Sequence, residues 1–207
     1  MNANTPILYG AKYSAYVQTV MLTLAAKGVQ YQHEPIDIFA NSGIPADYLV
    51  LHPFGKIPSF RHGSFTFYET IAITRYIDEA FKGPPLQPVD PTLCARMTQI
   101  MCMTDAYGYR PMVWDIYVER SSNPKEGKPT DEARVARGIR FAGTYLAALN
   151  EIAKMDPWLL GTKPTLADFH LAPMFGYFLK TREGQNLLKN FPRLEAWWIN
   201  AESILAA

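Results

Sequence analysis

The chain has 207 residues, 48% of them hydrophobic and 13% aromatic, which is enough apolar surface for one large or two small domains and excludes a disordered protein. Its 20 lysines and arginines nearly balance 19 aspartates and glutamates, without runs of like charge, so the charge pattern argues against nucleic acid or an anionic membrane as a partner. We expect a small molecule or another protein as the partner.

The first ten residues lack the basic start and apolar segment of a signal peptide, and no stretch approaches the ~20 apolar residues that cross a bilayer. We therefore expect a soluble, cytoplasmic protein. Cys94 and Cys102 lie about 12 Å apart if their segment is helical, too far for a disulfide, and we expect them to be buried free thiols. The cysteines and the four histidines lack close ligand spacing, so no metal site is predicted.

The N-terminal segment begins with a strand, a helix and a second strand. Residues 5–10 form a short apolar run. After it, apolar residues recur at helical spacing as far as Gly28, which can end a helix. Residues 30–36 read as a strand, and this βαβ order predicts parallel pairing of the two strands.

A second pair of strands follows. Residues 57–61 and 64–68 surround His62-Gly63, a turn short enough to predict an antiparallel hairpin. Pro58 removes a backbone donor, which favours an edge position or a special role over a central strand. A helix is predicted after Glu69-Thr70, so residues 1–81 have the pattern of a small α/β domain.

Residues 82–91 carry four prolines in ten positions and predict a linker between residues 1–81 and an all-helical domain, 92–207. Gly108 and Pro111 predict a bend in the first helix of that domain. The region from Gly184 to Asn190 is predicted to separate two helices. The predicted helices are 92–121, 131–154, 165–180 and 192–205.

Thr165 and Asp168 have the spacing of a capping box, in which the acidic side chain reaches back to the threonine amide at the start of a helix. A catalytic carboxylate is the alternative reading of Asp168. No second acid or base accompanies it in sequence, which favours the structural role.

Four segments, YGAKYSAYVQTVMLTLAAKGVQY, HPFGKIPSF, FYETIAITRYI and WLLGTKPTLADFHLAP, follow one another in an order that resembles cytosolic glutathione transferases, most closely the phi-type serine enzymes and their bacterial relatives. The resemblance implies a thioredoxin-like N-terminal domain followed by an all-helical domain, usually as a homodimer. It also implies glutathione as co-substrate, with no tightly bound cofactor. Arg75, Asp78 and the first helix of the second domain are expected to contribute to the dimer.

The resemblance assigns the glutathione site to two short segments. Ile57 would pair its backbone with the cysteinyl part of glutathione next to a cis bond to Pro58, whereas a trans proline at an edge strand is the base-rate alternative. Glu69 would face the ligand's ammonium group, and Thr70 with the helix N-terminus would hold its α-carboxylate. An ordinary helix cap is the alternative for this pair.

Ser14 aligns with the catalytic serine of the phi-type enzymes, which would donate a hydrogen bond to the glutathione thiolate. The alternative is that Ser14 only caps its helix. Tyr9 lies near the catalytic tyrosine of another branch but aligns only with a shift, and Tyr13 is expected to line the substrate cavity. No cysteine occupies this loop, which argues against the disulfide-forming members.

One departure from the family concerns the glycyl carboxylate of glutathione. Plant phi-type enzymes hold it with a His-Lys pair, and the aligned positions here are Gly43 and Ile44. Lys56 is a candidate replacement, with Asn41 or Ser42 in support, although Lys56 also reads as a solvated loop charge.

The resemblance places a hydrophobic electrophile between the domains. It implies conjugation of glutathione to small hydrophobic electrophiles, with hydroperoxide reduction as a possible side activity. A non-catalytic ligand carrier or stress-regulatory interaction protein is the alternative class. The candidate residues of the electrophile site are Tyr13, Ala15, Ile38, Phe39, Met112, Trp114 and Val118.

Overall fold

The computed structural model describes residues 4–205. They divide into two compact units after Leu86, a point inside the segment 82–91 that was predicted as a linker. The first unit is a thioredoxin-like α/β domain and the second is entirely helical, so the fold class implied by the resemblance is confirmed.

The first unit is built on a mixed sheet of four strands in the order β2-β1-β3-β4. The strand β1 runs parallel to β2 with Leu8 opposite His33, and antiparallel to β3 with Leu8 opposite Phe60. The predicted parallel pair and the predicted hairpin are both confirmed. The strands are β1 Ile7–Tyr9, β2 Gln32–Glu34, β3 Ser59–His62 and β4 Phe65–Tyr68.

Three helices accompany the sheet, and α1 and α3 supply apolar faces to its core. Leu8 and Phe60 of the sheet are buried with Leu24 of α1 and Ile73 of α3. The short α2 was not predicted, because its six residues are too few to show a helical apolar period. The helices are α1 Ala15–Ala26, α2 Ala46–Leu51 and α3 Thr70–Ala80.

A buried ion pair ties the chain after α3 to the first unit. Lys27 Nζ donates to Asp78 Oδ1 at 2.9 Å and to the carbonyl of Pro84 at 3.0 Å, and Leu86 N also donates to Asp78 Oδ1 at 2.9 Å. These bonds hold residues 84–86 against the sheet unit, which accounts for the division after Leu86 instead of at residue 82.

The second unit changes its helical winding after the first helix. The segment following α4 is π-helical, and Gly108 lies within it at a point where a Cβ would come within 2.8 Å of the Tyr145 ring. The helical elements are α4 Pro91–Met103, the π-helical segments Thr104–Gly108 and Arg110–Ser122, α5 Asn123–Lys125, α6 Glu132–Ile152, α7 Leu166–Phe178, α8 Arg182–Leu188 and α9 Pro192–Leu205.

The region from Gly184 to Asn190 was predicted to separate helices, and that prediction is wrong because α8 occupies most of it. Thr181 caps this helix by accepting a hydrogen bond from the Gly184 amide at 3.1 Å. Gly184 is needed there because a Cβ would lie 2.2 Å from the carbonyl oxygen of Phe178. The glycine therefore marks close packing instead of a helix stop.

The capping box at Thr165 and Asp168 is present at the start of α7. The wholly buried carboxylate of Asp168 accepts from Thr165 N at 2.7 Å, Leu159 N at 2.9 Å and Trp197 Nε1 at 2.9 Å. Burial raises the pKa of the Asp168 carboxyl, and these donors act against the rise. The residue joins three segments of the second unit, as expected of a structural carboxylate.

Both cysteines are free, but Cys94 is only half-buried and Cys102 is exposed, so the expectation that they are buried is wrong. Across residues 4–205, no helix has the length and apolar character needed to span a bilayer. The same residues contain no cluster of three or more histidine, cysteine or acidic side chains suited to a metal ion.

Candidate functional site

The sheet topology brings three candidate segments to one edge of the first unit. In the register of the strands, Tyr9 lies opposite Ser59, and Ser59 lies opposite Tyr68. The loop that carries Ser14 leaves β1 just after Tyr9. The Ile57-Pro58 bond enters β3 just before Ser59, and the Glu69-Thr70 pair follows Tyr68. The three segments are consequently neighbours in space although they are far apart in sequence.

Gly10 anchors the loop after β1. Its amide donates to the carbonyl of Glu34 at 2.9 Å, and its carbonyl lies 2.7 Å from His33 Nε2. Its φ of +145° is one that side-chain-bearing residues rarely adopt, and a Cβ would lie 2.5 Å from Val17 and 3.2 Å from Ile57. Only glycine lets this loop pass so close to Ile57.

Ser14 ends a turn and begins α1. Its amide donates to the carbonyl of Ala11 at 3.0 Å, which closes the turn, and Gln18 Nε2 fixes the same turn by donating to the carbonyl of Lys12 at 2.8 Å. Ser14 Oγ accepts from the amide of Val17 at 3.4 Å. A hydroxyl has one proton and two acceptor positions, so this cap occupies a lone pair and leaves the proton for another acceptor.

Tyr13 uses its hydroxyl proton differently. The phenol donates to Asp37 Oδ1 at 2.6 Å, and its ring stacks on Phe39 with centroids 6.0 Å apart. Burial, followed by the hydrogen bond to Asp37 and the charge of Asp37, raises the pKa of Tyr13 above its ordinary value of 10.0. A phenol that donates to a carboxylate has no second proton to offer to a thiolate.

Tyr9 is a core residue. Its side chain is buried among the apolar residues of the first unit, its ring centroid lies 6.5 Å from that of Tyr48, and Arg61 lies over its face at 5.6 Å. Burial raises the pKa of Tyr9, with Arg61 acting in the opposite direction. This environment favours a packing role for Tyr9.

The Ile57-Pro58 bond is cis, as the resemblance implied. Tyr48 Oη donates to the carbonyl of Lys56 at 2.7 Å and lies 3.2 Å from Ser59 Oγ, so it fixes the chain on both sides of this bond. Ile57 itself precedes the β1-β3 ladder, and among residues 4–205 no group forms a hydrogen bond with its backbone. The peptide groups of Ile57 thus have the unpaired character that strand pairing with a peptide ligand requires.

Glu69 and Thr70 begin α3. Glu69 has φ +77° and ψ 113°, an unfavourable conformation for a residue other than glycine, and its carbonyl accepts from Ile73 N at 2.9 Å. Its carboxylate is exposed and makes no capping hydrogen bond, whereas Thr70 is buried. The ordinary-cap reading of Glu69 therefore loses support, and the side chain remains available at the helix N-terminus.

His52 lies beside Tyr68, the last residue of β4, and was not among the site residues predicted from the sequence. It is buried and stacks on Tyr68 with centroids 4.5 Å apart, and its Nδ1 has no hydrogen-bond partner among the described residues. Burial lowers the pKa of His52; the charge of Glu69 acts against this, and that of Lys56 adds to it. A neutral imidazole here packs the end of β4 beside Glu69.

The residues expected to hold the electrophile are distributed over both units. In the first, Tyr13 and Phe39 are exposed at 45% and 60%, Ile38 is half-buried and Ala15 is buried. In the second, the remaining three lie on the π-helical segment Arg110–Ser122. Of these, Met112 is fully buried, and Trp114 and Val118 are half-buried.

A pocket of about 700 Å³ lies on the second unit, between the π-helical segments and α6. Tyr107 and Phe141 line it and are exposed at 67% and 55%. Of the described residues that line it, none belongs to the candidate set for the electrophile. Sequence reasoning missed this pocket, as well as Asp37 and the Gly10 anchor, because each depends on contacts between distant segments.

Comparisons with known proteins agree with this architecture. The family description "Glutathione S-transferase, N-terminal domain" matches residues 8–85, and "Glutathione S-transferase, C-terminal domain" matches residues 100–204. The protein is 30% identical over 193 residues to glutathione S-transferase F13 of Arabidopsis thaliana, covering 92% of this chain and 88% of that one. It is also 30% identical over 192 residues to a glutathione S-transferase of Hyoscyamus muticus, covering 92% and 90%.

Solved structures show the same likeness. Glutathione transferase F7 from Populus trichocarpa superimposes with a TM-score of 0.83 at 25% identity, covering 98% of each chain. Glutathione S-transferase III in apo form gives a TM-score of 0.81 at 26% identity, covering 98% of this chain and 96% of that one. The family matches, the extent of the identity and the shared architecture together show that this chain belongs to the glutathione S-transferases and is a glutathione transferase enzyme.

Proposed function

We propose that this enzyme conjugates reduced glutathione to small hydrophobic electrophiles through a thiolate that Ser14 stabilises. The observation that carries the proposal is the direction of the Ser14 hydrogen bond, in which Oγ accepts from Val17 N and keeps its own proton. A free thiol titrates near 8.5, so a hydroxyl donor at a helix N-terminus increases the thiolate fraction at neutral pH. The thiolate attacks the electrophilic carbon, and the halide or other leaving group departs with the electron pair.

Backbone pairing at Ile57 would hold the cysteinyl part of glutathione. The unpaired peptide groups of this residue in the described structure support this role. Glu69 would pair with the γ-glutamyl ammonium group, because its exposed carboxylate lies at the start of α3. Thr70 and the first amides of α3 would receive the α-carboxylate of the same residue.

Lys56 would supply the cation for the glycyl carboxylate. Its side chain is exposed, while its backbone is fixed by the hydroxyl of Tyr48. Gly43 has φ +77° with open space around it, and Ile44 is apolar, so neither replaces the charge of a His-Lys pair. A long cationic side chain on an anchored backbone is the best-supported substitute in the first unit.

The proposed acceptor contacts are apolar side chains, four in the first unit (Tyr13, Ala15, Ile38 and Phe39) and three in the second (Met112, Trp114 and Val118). The exposed rings of Tyr13 and Phe39 support the part of this assignment that concerns the first unit. Apolar walls with few polar anchors suit a broad range of small electrophiles. The same thiolate would also reduce organic hydroperoxides, with glutathione as the electron donor and glutathione disulfide, water and an alcohol as products.

Two measurements test the proposed function. The protein should bind to immobilised glutathione and should consume reduced glutathione with 1-chloro-2,4-dinitrobenzene, releasing chloride. Binding without turnover of any electrophile or hydroperoxide would favour the alternative, a ligand carrier or a stress-regulatory interaction protein. Failure to bind glutathione at all would refute both assignments of the first unit.

A homodimer in the cytoplasm is the expected state of this enzyme. The exposed rings of Tyr107 and Phe141 beside the pocket on the second unit support a covered face, since clustered exposed aromatic residues often mark an interface. Arg75 is exposed on α3, whereas the carboxylate of Asp78 is engaged by Lys27 and is a weaker dimer candidate. Light scattering should give twice the chain mass, and a monomer at micromolar concentration would contradict the dimer.

A further inference from the structure

The carboxylate of Asp37 holds two aromatic residues in one arrangement. A single oxygen, Oδ1, accepts from Tyr13 Oη at 2.6 Å and from the backbone amide of Phe39 at 2.9 Å. The two rings stack at a centroid distance of 6.0 Å and an interplanar angle of 28°. Asp37 therefore fixes Tyr13 through the phenol hydroxyl of that residue and Phe39 through its backbone amide.

The aromatic pair is exposed, which sets it apart from the packed rings of the core. Tyr13 and Phe39 are exposed at 45% and 60%. Exposed aromatic side chains that are stacked and tethered retain apolar surface in a preorganised form, and preorganisation lowers the entropic cost of binding. The charge of Asp37 has no cationic partner in the described part of the chain, so ion pairing does not account for its position.

The pair also lies next to the reacting group of the proposed function. Tyr13 occupies the third position of the turn from Ala11 to Ser14, one residue before the hydroxyl that would bind the thiolate. Asp37 lies just after β2, whose last residue, Glu34, binds the Gly10 amide at the start of the same loop. The loop after β2 and the loop after β1 are thus held together at both ends.

We infer that Asp37 is a positioning residue for the acceptor substrate, holding Tyr13 and Phe39 as a stacked wall that favours flat aromatic electrophiles beside the sulfur. This inference rests on the proposed function and adds a substrate preference to it. A planar nitroaryl group can stack on such a wall, whereas a small alkyl halide gains little from it. Asp37 does not touch the reacting atoms and acts through the two rings.

Near neutral pH, the protonation states of Asp37 and Tyr13 preserve the hydrogen bond between them. The hydrogen bonds from Tyr13 and from the Phe39 amide lower the pKa of Asp37, so it stays ionised near neutrality. Burial and the neighbouring Asp37 raise the pKa of Tyr13, so its phenol keeps the shared proton.

Binding measurements test the inference without relying on turnover. Calorimetry gives the affinity of the free enzyme for glutathione and for S-(2,4-dinitrophenyl)glutathione, and their ratio reports the aryl contribution. Asp37→Ala should reduce this ratio about 3- to 10-fold, the range expected from an aromatic contact, with glutathione affinity retained. Asp37→Asn should keep the ratio within about twofold of wild type, because one amide oxygen can accept both hydrogen bonds.

Kinetics and controls complete the design. In Asp37→Ala, KM for 1-chloro-2,4-dinitrobenzene should rise while KM for glutathione and the pH profile stay unchanged; KM for an alkyl iodide should also stay unchanged. Asp47→Ala is a matched control, since its exposed carboxylate accepts only from the adjacent Tyr48 amide in the described structure. Should Asp37→Ala fail to fold, Tyr13→Phe removes one tether, keeps the ring and should reduce the ratio in the same direction.

The outcomes separate the inference from the proposed function. If wild-type protein binds neither ligand, the proposed function fails and the inference fails with it. If it binds both and the ratio is the same in every variant, only the inference is overturned. An equal loss of affinity for both ligands in Asp37→Ala, or no rescue in Asp37→Asn, would reduce Asp37 to a structural residue and would also overturn it.

Discussion

Replacing Ser14 with alanine removes a proton donor and a weak helix cap, and the two losses have different sizes. The capping contact to Val17 N is 3.4 Å, at the long end of hydrogen-bond geometry, so its loss should cost only about 0.5–1 kcal/mol of stability. A hydrogen bond to a charged group contributes about 1.5–3 kcal/mol. At about 1.4 kcal/mol per unit, the pKa of the bound thiol should rise by about 1–2 units.

The assay is the pH dependence of kcat/KM, together with the ultraviolet absorbance of the bound thiolate. Below both thiol pKa values, the thiolate fraction in Ser14→Ala should fall about 10- to 100-fold, while glutathione binding should persist through the contacts proposed for Ile57 and Glu69. Asp90→Ala is a matched control, because Asp90 caps α4 by accepting from Leu93 N at 2.9 Å in the other unit. An unchanged pH profile in Ser14→Ala, with both variants folded, would refute the role of this serine.

Three further changes test interactions within the first unit. Lys27→Met removes the ammonium group that pairs with the buried carboxylate of Asp78 and should lower the free energy of unfolding by about 3–5 kcal/mol in urea titrations; a loss below about 1 kcal/mol would contradict this. Glu69→Gly relieves φ +77° and should raise the free energy of unfolding by about 1 kcal/mol while weakening glutathione binding; a destabilised variant with unchanged KM would be inconsistent with the assignment. Wild type should lose stability below about pH 6.5, because His52 takes up a proton more readily in the unfolded chain than in its buried position. His52→Phe retains the stacking on Tyr68 and should lack this loss, and parallel plots of unfolding free energy against pH for the two proteins would exclude a contribution from His52.

Local patterns predicted the elements that depend on neighbouring residues. The hairpin around His62-Gly63 and the capping box at Thr165 could be predicted because each depends on residues within a few positions. The parallel pairing of β1 with β2, which are distant in sequence, could be predicted from the strand-helix-strand order. The predictions that failed concern elements that depend on tertiary contacts. In the sequence, Gly184 indicates the end of a helix, and α8 was missed for this reason. In the structure, the glycine is required because the carbonyl of Phe178 leaves no room for a larger residue.

The candidate site shows the same difference between residues with local sequence signals and residues that depend on tertiary contacts. Ser14, Ile57 and Glu69 could be named as candidates because their segments carry recognisable motifs, and their roles remain predictions. Asp37 was not, since nothing within a few residues of it signals that Tyr13, 24 positions earlier, donates to its carboxylate. A polar residue shortly after a strand was the only sequence signal, and it is too common to single out one carboxylate.

Tyr9, Tyr13 and Ser14, near the end of β1, are the three hydroxyl-bearing candidates for binding the thiolate, and their contacts differ in the structure. The Tyr9 ring is part of the core, so its position is set by packing with Tyr48. The Tyr13 proton is donated to Asp37. Ser14 uses an acceptor position of its hydroxyl to cap α1 and retains its proton next to the helix N-terminus. A donor with its oxygen already anchored needs no reorganisation to meet a sulfur anion, and this is the physical reason that we propose Ser14 over either tyrosine.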